Sequence, residues 1–152
     1  MHVRRVRLTA VIAVLGIMAA FWGAWTVEEA TRRDGAVERF IGEVRSASNG
    51  AVVDLENAIS LDWDRAIAIP PYSYGADVNA ALGFEAYPED RSVTPGDTVT
   101  VLLLVKDHKI VTEISPGDTF SFAVETTRSF PADRARFIVV RNSGGLHLLP
   151  TD

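Results

Sequence analysis

The sequence predicts an α+β fold: an N-terminal transmembrane helix, then a small domain of antiparallel sheet, about five strands, packed with one or two helices. Three observations predict it. Leu8 to Val27 is a run of 20 residues without a charge. Helical periodicity is confined to the first half of the remaining chain. From Thr98 onward, apolar residues alternate with polar ones between short turns.

The apolar run LTAVIAVLGIMAAFWGAWTV would span roughly 30 Å as a helix, the thickness of a bilayer's hydrocarbon core. Arg4, Arg5 and Arg7 precede it and Glu28 and Glu29 follow it. Positive charge stays cytoplasmic, so the expected arrangement is single-pass in the plasma membrane, with the N-terminus inside and the C-terminal domain extracytoplasmic. Phe21, Trp22 and Trp25 gather at the far end, where aromatics favour the headgroup region. The alternative is secretion after signal cleavage. A signal's apolar region is shorter, about 7–15 residues, and ends in small residues at −3 and −1. Cleavage after Ala24, Gly23 or Ala20 would place Trp22, Phe21 or Met18 at −3. The expected organisation is a cytoplasmic basic tip over 1–7, a transmembrane signal anchor over 8–27, a stalk and amphipathic helix over 28–50, and an extracytoplasmic α+β domain over 51–152.

Val37, Phe40, Ile41 and Val44 recur at i, i+3, i+4, i+7, one face of a helix that Ser48-Asn49-Gly50 would end. Ala51 to Ile59 is ambiguous, since Val52-Val53 suits a strand while Leu55 and Ile59 keep helical spacing. A strand is expected from about Asp62 to Ile69, stopped by Pro70-Pro71. Ala76 to Leu82 reads as a short helix closed by Gly83. Strands follow around Val99–Leu103, Ile110–Ile114, Phe120–Val124, Ala135–Arg141 and Leu146–Leu149. Polar turns at Lys106–Lys109 and Asn142–Gly145 separate them.

VTPGDTVTV and ISPGDTFSF match position by position and invite a paired-aspartate metal site at Asp97 and Asp118. Calcium needs roughly six to eight oxygens, and each loop supplies a single carboxylate. Proline presets φ for the second position of a turn and glycine supplies positive φ at the third, so one type II turn used twice is expected.

All 20 acidic residues lie after the apolar run, together with 12 of the 15 basic ones. Such an acidic face argues against nucleic acid as a partner. No cysteine is present, which excludes disulfides, thiolate metal sites and a lipidated cysteine. No H-E-x-x-H, G-x-S-x-G or phosphate-loop motif occurs, and no cofactor or metal is expected.

The candidate binding residues are Asp62, Trp63, Asp64, Tyr72 and Tyr74. On a strand, Asp62 and Asp64 share a face, as an acid–base pair or cation ligands would. The bland reading puts them on a solvated edge, with Trp63 in the core beside Ile67 and Ile69. Arg65, of the same parity as those residues, would be a rim charge near an acid. Tyr72 and Tyr74 bracket Ser73 after the double proline, as an aromatic binding ledge or as a cap on the core.

The run WDRAIAIPPYSY, followed by a helix ending in Leu82-Gly83, resembles a motif of small bacterial exported or membrane-anchored proteins: Trp-Asp, a strand, Pro-Tyr, then a helix ending in Leu-Gly. The resemblance covers about residues 62–83 and implies an envelope protein, with no catalytic residues to assign. Many such proteins carry a lipid-attachment cysteine, which this chain lacks.

The function expected is therefore a non-enzymatic binding or protein-interaction module of the bacterial cell envelope, with the membrane and another envelope protein as partners. The alternative is a small envelope hydrolase using Asp62, Asp64 or His147. A third reading has the transmembrane helix recruit a partner through Gly16 and Ala20 or Ala19 and Gly23.

Overall fold

A computed structural model describes residues 28–94 and 100–151. The chain divides into two compact units at Gly35. In the first, residues 28–35 are helical, and Glu28–Arg32 and Glu29–Arg33 pair at i, i+4.

The second unit begins with helix α1 over 36–46. It buries Ala36, Phe40 and Val44 completely, with Val37 and Ile41 half-buried beside them. That is the predicted apolar stripe, and it packs into the core. Beyond the helix, Gly50 takes φ +83 and its N–H donates to the Val139 carbonyl at 2.7 Å.

Among the described residues eight strands follow: β1 Val52–Asp54, β2 Arg65–Ile69, β3 Val101–Lys106, β4 Lys109–Ile114, β5 Ser121–Phe122, β6 Arg128–Pro131, β7 Arg136–Asn142 and β8 Gly145–Pro150. Helices α2 (Leu55–Ala58) and α3 (Gly75–Leu82) interrupt them. The ambiguous stretch 51–59 realises both of its patterns, a strand and then one helical turn. Asp54 joins the two, its Oδ1 accepting from the Glu56 and Asn57 N–H groups.

The strands form two four-stranded sheets, in the orders β1-β7-β8-β5 and β4-β3-β2-β6. All pairings are antiparallel except β5 with β8, which is parallel. The sequence predicts instead a single antiparallel sheet of about five strands. Strand alternation specifies which side of a strand is buried but not which sheet the strand joins, so two sheets sharing a core give the same pattern as one.

Among the described residues no helix is long and apolar enough to cross a membrane. The run Leu8–Val27, which carried the transmembrane expectation, lies outside the described residues. The expected fold of a membrane helix plus one sheet is corrected to a two-sheet α+β domain, and the single-pass placement is set aside with it.

The core explains why the two sheets meet. Ala66 and Ala68 of β2 pair with Leu104 and Leu102 of β3, small against large on one face. That face joins Phe130 of β6 and Val53, Phe122, Phe137, Val139 and Leu148 of the other sheet in a single cluster. Aromatic edges continue through it, with centroids 5.9 Å apart for Phe40–Phe120, 5.5 Å for Phe120–Phe122, and 5.4 Å for both Phe122–Phe137 and Phe130–Phe137. The opposite face of β2 and β3 presents Ile67, Ile69, Val101, Leu103 and Val105 to Val78 and Leu82 of α3. Strands covered on both faces read as unbroken apolar runs, which AIAI after Arg65 and VLLLV are.

Two strand arginines finish the helices. The Arg141 guanidinium donates to the carbonyls of Val44 at 3.4 Å, Arg45 at 2.5 Å and Ala47 at 3.0 Å. Arg65 donates to the Leu82 carbonyl at the end of α3, where the last turn has no basic residue of its own. Each places a cation at the negative end of a helix.

The β3–β4 hairpin turns through Asp107 (φ +46) and His108 (φ +60), the backbone of a two-residue type I′ turn. Of the two Pro-Gly-Asp loops, 95–99 lies outside the described residues. In the other, Gly117 takes φ +56 as expected, but Thr119 N–H closes the turn onto the Pro116 carbonyl at 3.1 Å. The glycine therefore stands at the second position of the turn rather than the third.

Candidate functional site

Strand β2 separates the predicted site residues. Asp62, Trp63 and Asp64 precede it, and Tyr72 and Tyr74 follow it. Its five residues, about 16 Å of extended chain, stand between the two groups. They form two sites rather than one.

At the entrance, the strand begins at Arg65 and not at Asp62. Asp64 still donates its N–H to the Val105 carbonyl and accepts from Ala132 N–H, both at 2.9 Å. The alternation expected across 62–69 is nonetheless broken. Trp63 is buried in the inter-sheet core with Ala66 and Ala68, not beside Ile67 and Ile69. The two carboxylates meet adjacent residues of the β3–β4 hairpin. Asp62 meets Lys106 Nζ at 3.0 Å, and Asp64 Oδ2 accepts from the Asp107 N–H at 3.4 Å. The hydrogen bond to Asp62, reinforced by its charge, raises the pKa of Lys106. Arg65 is half-buried as expected, though its hydrogen-bond partner is the α3 carbonyl and not an acid.

Asp64 and Arg65, but not Asp62 or Trp63, border an open cleft of about 570 Å³. Leu82, Gly83, Asp107, His108, Ser129 and Pro131 complete its lining. The His108 ring sits edge-on to Phe84, centroids 6.0 Å apart. Sequence reasoning placed His108 in a turn without linking it to Asp64; only the pairing of β2 with β3 does that. Among the described residues, no three His, Cys, Asp or Glu side chains are grouped to hold a metal ion.

His147 is elsewhere. On β8 its neighbour Leu148 points into the inter-sheet core, so His147 faces the outer side of the other sheet. There its Nδ1 and Ser121 Oγ lie 2.8 Å apart. The parallel pairing of β5 with β8 makes this contact, and no local sequence signal announces it. His147 does not converge with Asp62 or Asp64.

At the exit of β2 the backbone is locked. Ser73 is buried, its Oγ donating to the Pro70 carbonyl at 2.8 Å and its N–H to Thr94 Oγ1 at 3.3 Å. The buried Thr94 hydroxyl donates to the same Pro70 carbonyl at 3.4 Å, and Val93 N–H donates to the Ser73 carbonyl at 2.9 Å. Tyr74 caps α3, pairs with Ser92 as an isolated bridge, and leads into Gly75. A Cβ on Gly75 would lie 2.0 Å from the Pro88 carbonyl oxygen, so only glycine fits against this loop. Asn79 pins the loop from below. Its Nδ2 donates to the Tyr87 carbonyl at 2.8 Å, and its Oδ1 accepts from the Ala86 and Tyr87 N–H groups. Burial, with a smaller contribution from the charge of Glu113, raises the pKa of the Tyr87 hydroxyl.

Tyr72 and Tyr74 stand on either side of this buried anchor, 65% and 54% exposed. Tyr72 also holds φ +62, a left-handed conformation that costs a bulky side chain about 1–2 kcal/mol. Neither ring caps the core.

No family model matches the chain, and no curated protein or solved structure matches it.

Proposed function

We propose that the domain is a non-enzymatic binding or protein-interaction module whose contact surface is the ledge formed by Tyr72 and Tyr74. One observation carries the proposal: two rings more than half exposed flank a fully hydrogen-bonded serine, with Tyr72 in a strained backbone conformation. Trp63 fills the core, Asp62 and Asp64 bind the β3–β4 hairpin, and Arg65 holds α3. Those residues are engaged in the fold, whereas the two tyrosines present more than half of their surface to solvent. Exposed aromatics on a rigid support supply contact area at small entropic cost. A hydrolase that combined His147 with Asp62 or Asp64 would need them in one site, and His147 lies on the other sheet.

The test is selection of a displayed random-peptide library on the immobilised full chain, repeated with the Tyr72→Ala/Tyr74→Ala variant. Peptides that enrich on the native chain and lose binding to the variant support the ledge. Enrichment that the double substitution leaves untouched rejects it.

A further inference from the structure

We propose that the ledge takes a cationic peptide segment, one presenting arginine or lysine side chains to Tyr72 and Tyr74; this rests on the ledge being the contact surface. Acidic side chains surround the start of α3, where Tyr74 stands. The Gly75 N–H donates to the Arg91 carbonyl at 2.8 Å and the Ala76 N–H to the Glu89 carbonyl at 3.2 Å. The 89–92 loop is thereby laid along the start of α3, beside Tyr74. Asp77 stands in the first turn of that helix. Asp77, Glu89 and Asp90 are all exposed, and none forms a salt bridge among the described residues. Arg91 is the single cation in this loop.

Asp77 offsets the positive end of α3, which would otherwise repel a cation. The two aromatic faces attract a guanidinium or ammonium group, and each such contact at an exposed site changes affinity roughly two- to fivefold. An anionic segment would meet three carboxylates, and an apolar one would leave them without partners.

The test uses short synthetic peptides of one length, in which glycine alternates with arginine, lysine, glutamine or glutamate. Affinity is measured by fluorescence anisotropy on the full chain at two salt concentrations. The arginine and lysine peptides are expected to bind and the glutamine and glutamate peptides to fail. Tyr72→Ala/Tyr74→Ala should weaken arginine-peptide binding roughly tenfold while leaving the protein's charge unchanged. Asp77→Asn/Glu89→Gln should weaken it several-fold and flatten its salt dependence. Arginine-peptide binding that survives loss of both rings would be unspecific attraction to an acidic protein, and would overturn the proposal. Ring-dependent binding of the glutamine peptide at equal strength would overturn the cationic preference and leave the ledge standing. Loss of ring-dependent binding to every peptide sinks both. Tyr72→Gly, whose backbone suits φ +62, separates loss of the ring from loss of the fold.

Discussion

Replacing Arg141 with methionine removes the guanidinium and keeps most of the aliphatic stem. Three helix-end carbonyls then lose a charged donor: Val44 at 3.4 Å, Arg45 at 2.5 Å and Ala47 at 3.0 Å. The Val44 contact is long and adds little. The other two are strong, but the site is exposed enough for water to replace part of each bond. A cation at a helix C-terminus contributes about 0.3–1 kcal/mol when exposed and up to about 2 in favourable geometry. About 1.5 kcal/mol is therefore expected for the pair with the helix-dipole interaction. For a folded unit of about 120 residues the unfolding entropy is roughly 0.25 kcal/mol/K, so Tm should fall by about 6 °C. Thermal melts followed by circular dichroism, with urea titration as a check, read this directly. Arg141→Lys keeps the charge, but one ammonium cannot serve spread carbonyls as a fork does, so it should recover less than half of the loss. A methionine variant melting within about 1 °C of the native chain would show that water satisfies the end of α1 equally well.

Four further outcomes are expected. Trp63→Ala should cost about 3–5 kcal/mol by urea titration, since the ring is buried between the sheets and not in a binding site. Asp62→Asn should change stability by less than about 0.5 kcal/mol, because its pair with Lys106 lies in water. Gly75→Ala should destabilise by about 2–4 kcal/mol, since the added Cβ meets a backbone oxygen and α3 must move. Asp54 gives a pH signature. Burial pushes its pKa up, but the Arg136 bond at 2.9 Å and the two N–H groups of α2 outweigh burial and hold it below 3.8. A depressed carboxylate stabilises the fold above its unfolded pKa and loses that contribution as pH falls through the folded value. Arg136→Met should therefore lower stability at pH 6 and converge with the native chain well below pH 3.8; an equal gap at both pH values would contradict this.

Local chemistry made several elements legible in the sequence. The stripe from Val37 to Val44, the stop at Gly83, and the turns at Lys106–Lys109 and Asn142–Gly145 depend on neighbours a few residues apart, and each is found. Strand β6 was not legible, because Arg128-Ser129-Phe130-Pro131 offers a single inward ring and ends in proline. The division into two sheets, and the parallel contact that brings Ser121 to His147, depend on partners far along the chain. The parity argument for Asp62 and Asp64 failed at one residue. A strand beginning at Arg65 frees Trp63 to turn into the inter-sheet core and leaves the two carboxylates holding neighbouring residues of the β3–β4 hairpin. The tyrosines were legible as a pair because the double proline and Gly75 mark the turn that displays them. Their exposure depends on Ser73 and Thr94 meeting at the Pro70 carbonyl, which sequence alone does not reveal.

Tyr72→Gly is the most direct test of the ledge, with stability and arginine-peptide affinity measured on the same preparation. Glycine relieves the strain of φ +62, worth about 1–2 kcal/mol, and gives back about 0.5–1 kcal/mol through greater freedom of the unfolded chain. Stability should hold or rise by up to about 1 kcal/mol while affinity falls roughly two- to fivefold. A variant that is less stable by a kilocalorie or more, with affinity unchanged, would make Tyr72 a structural residue and contradict its role in binding.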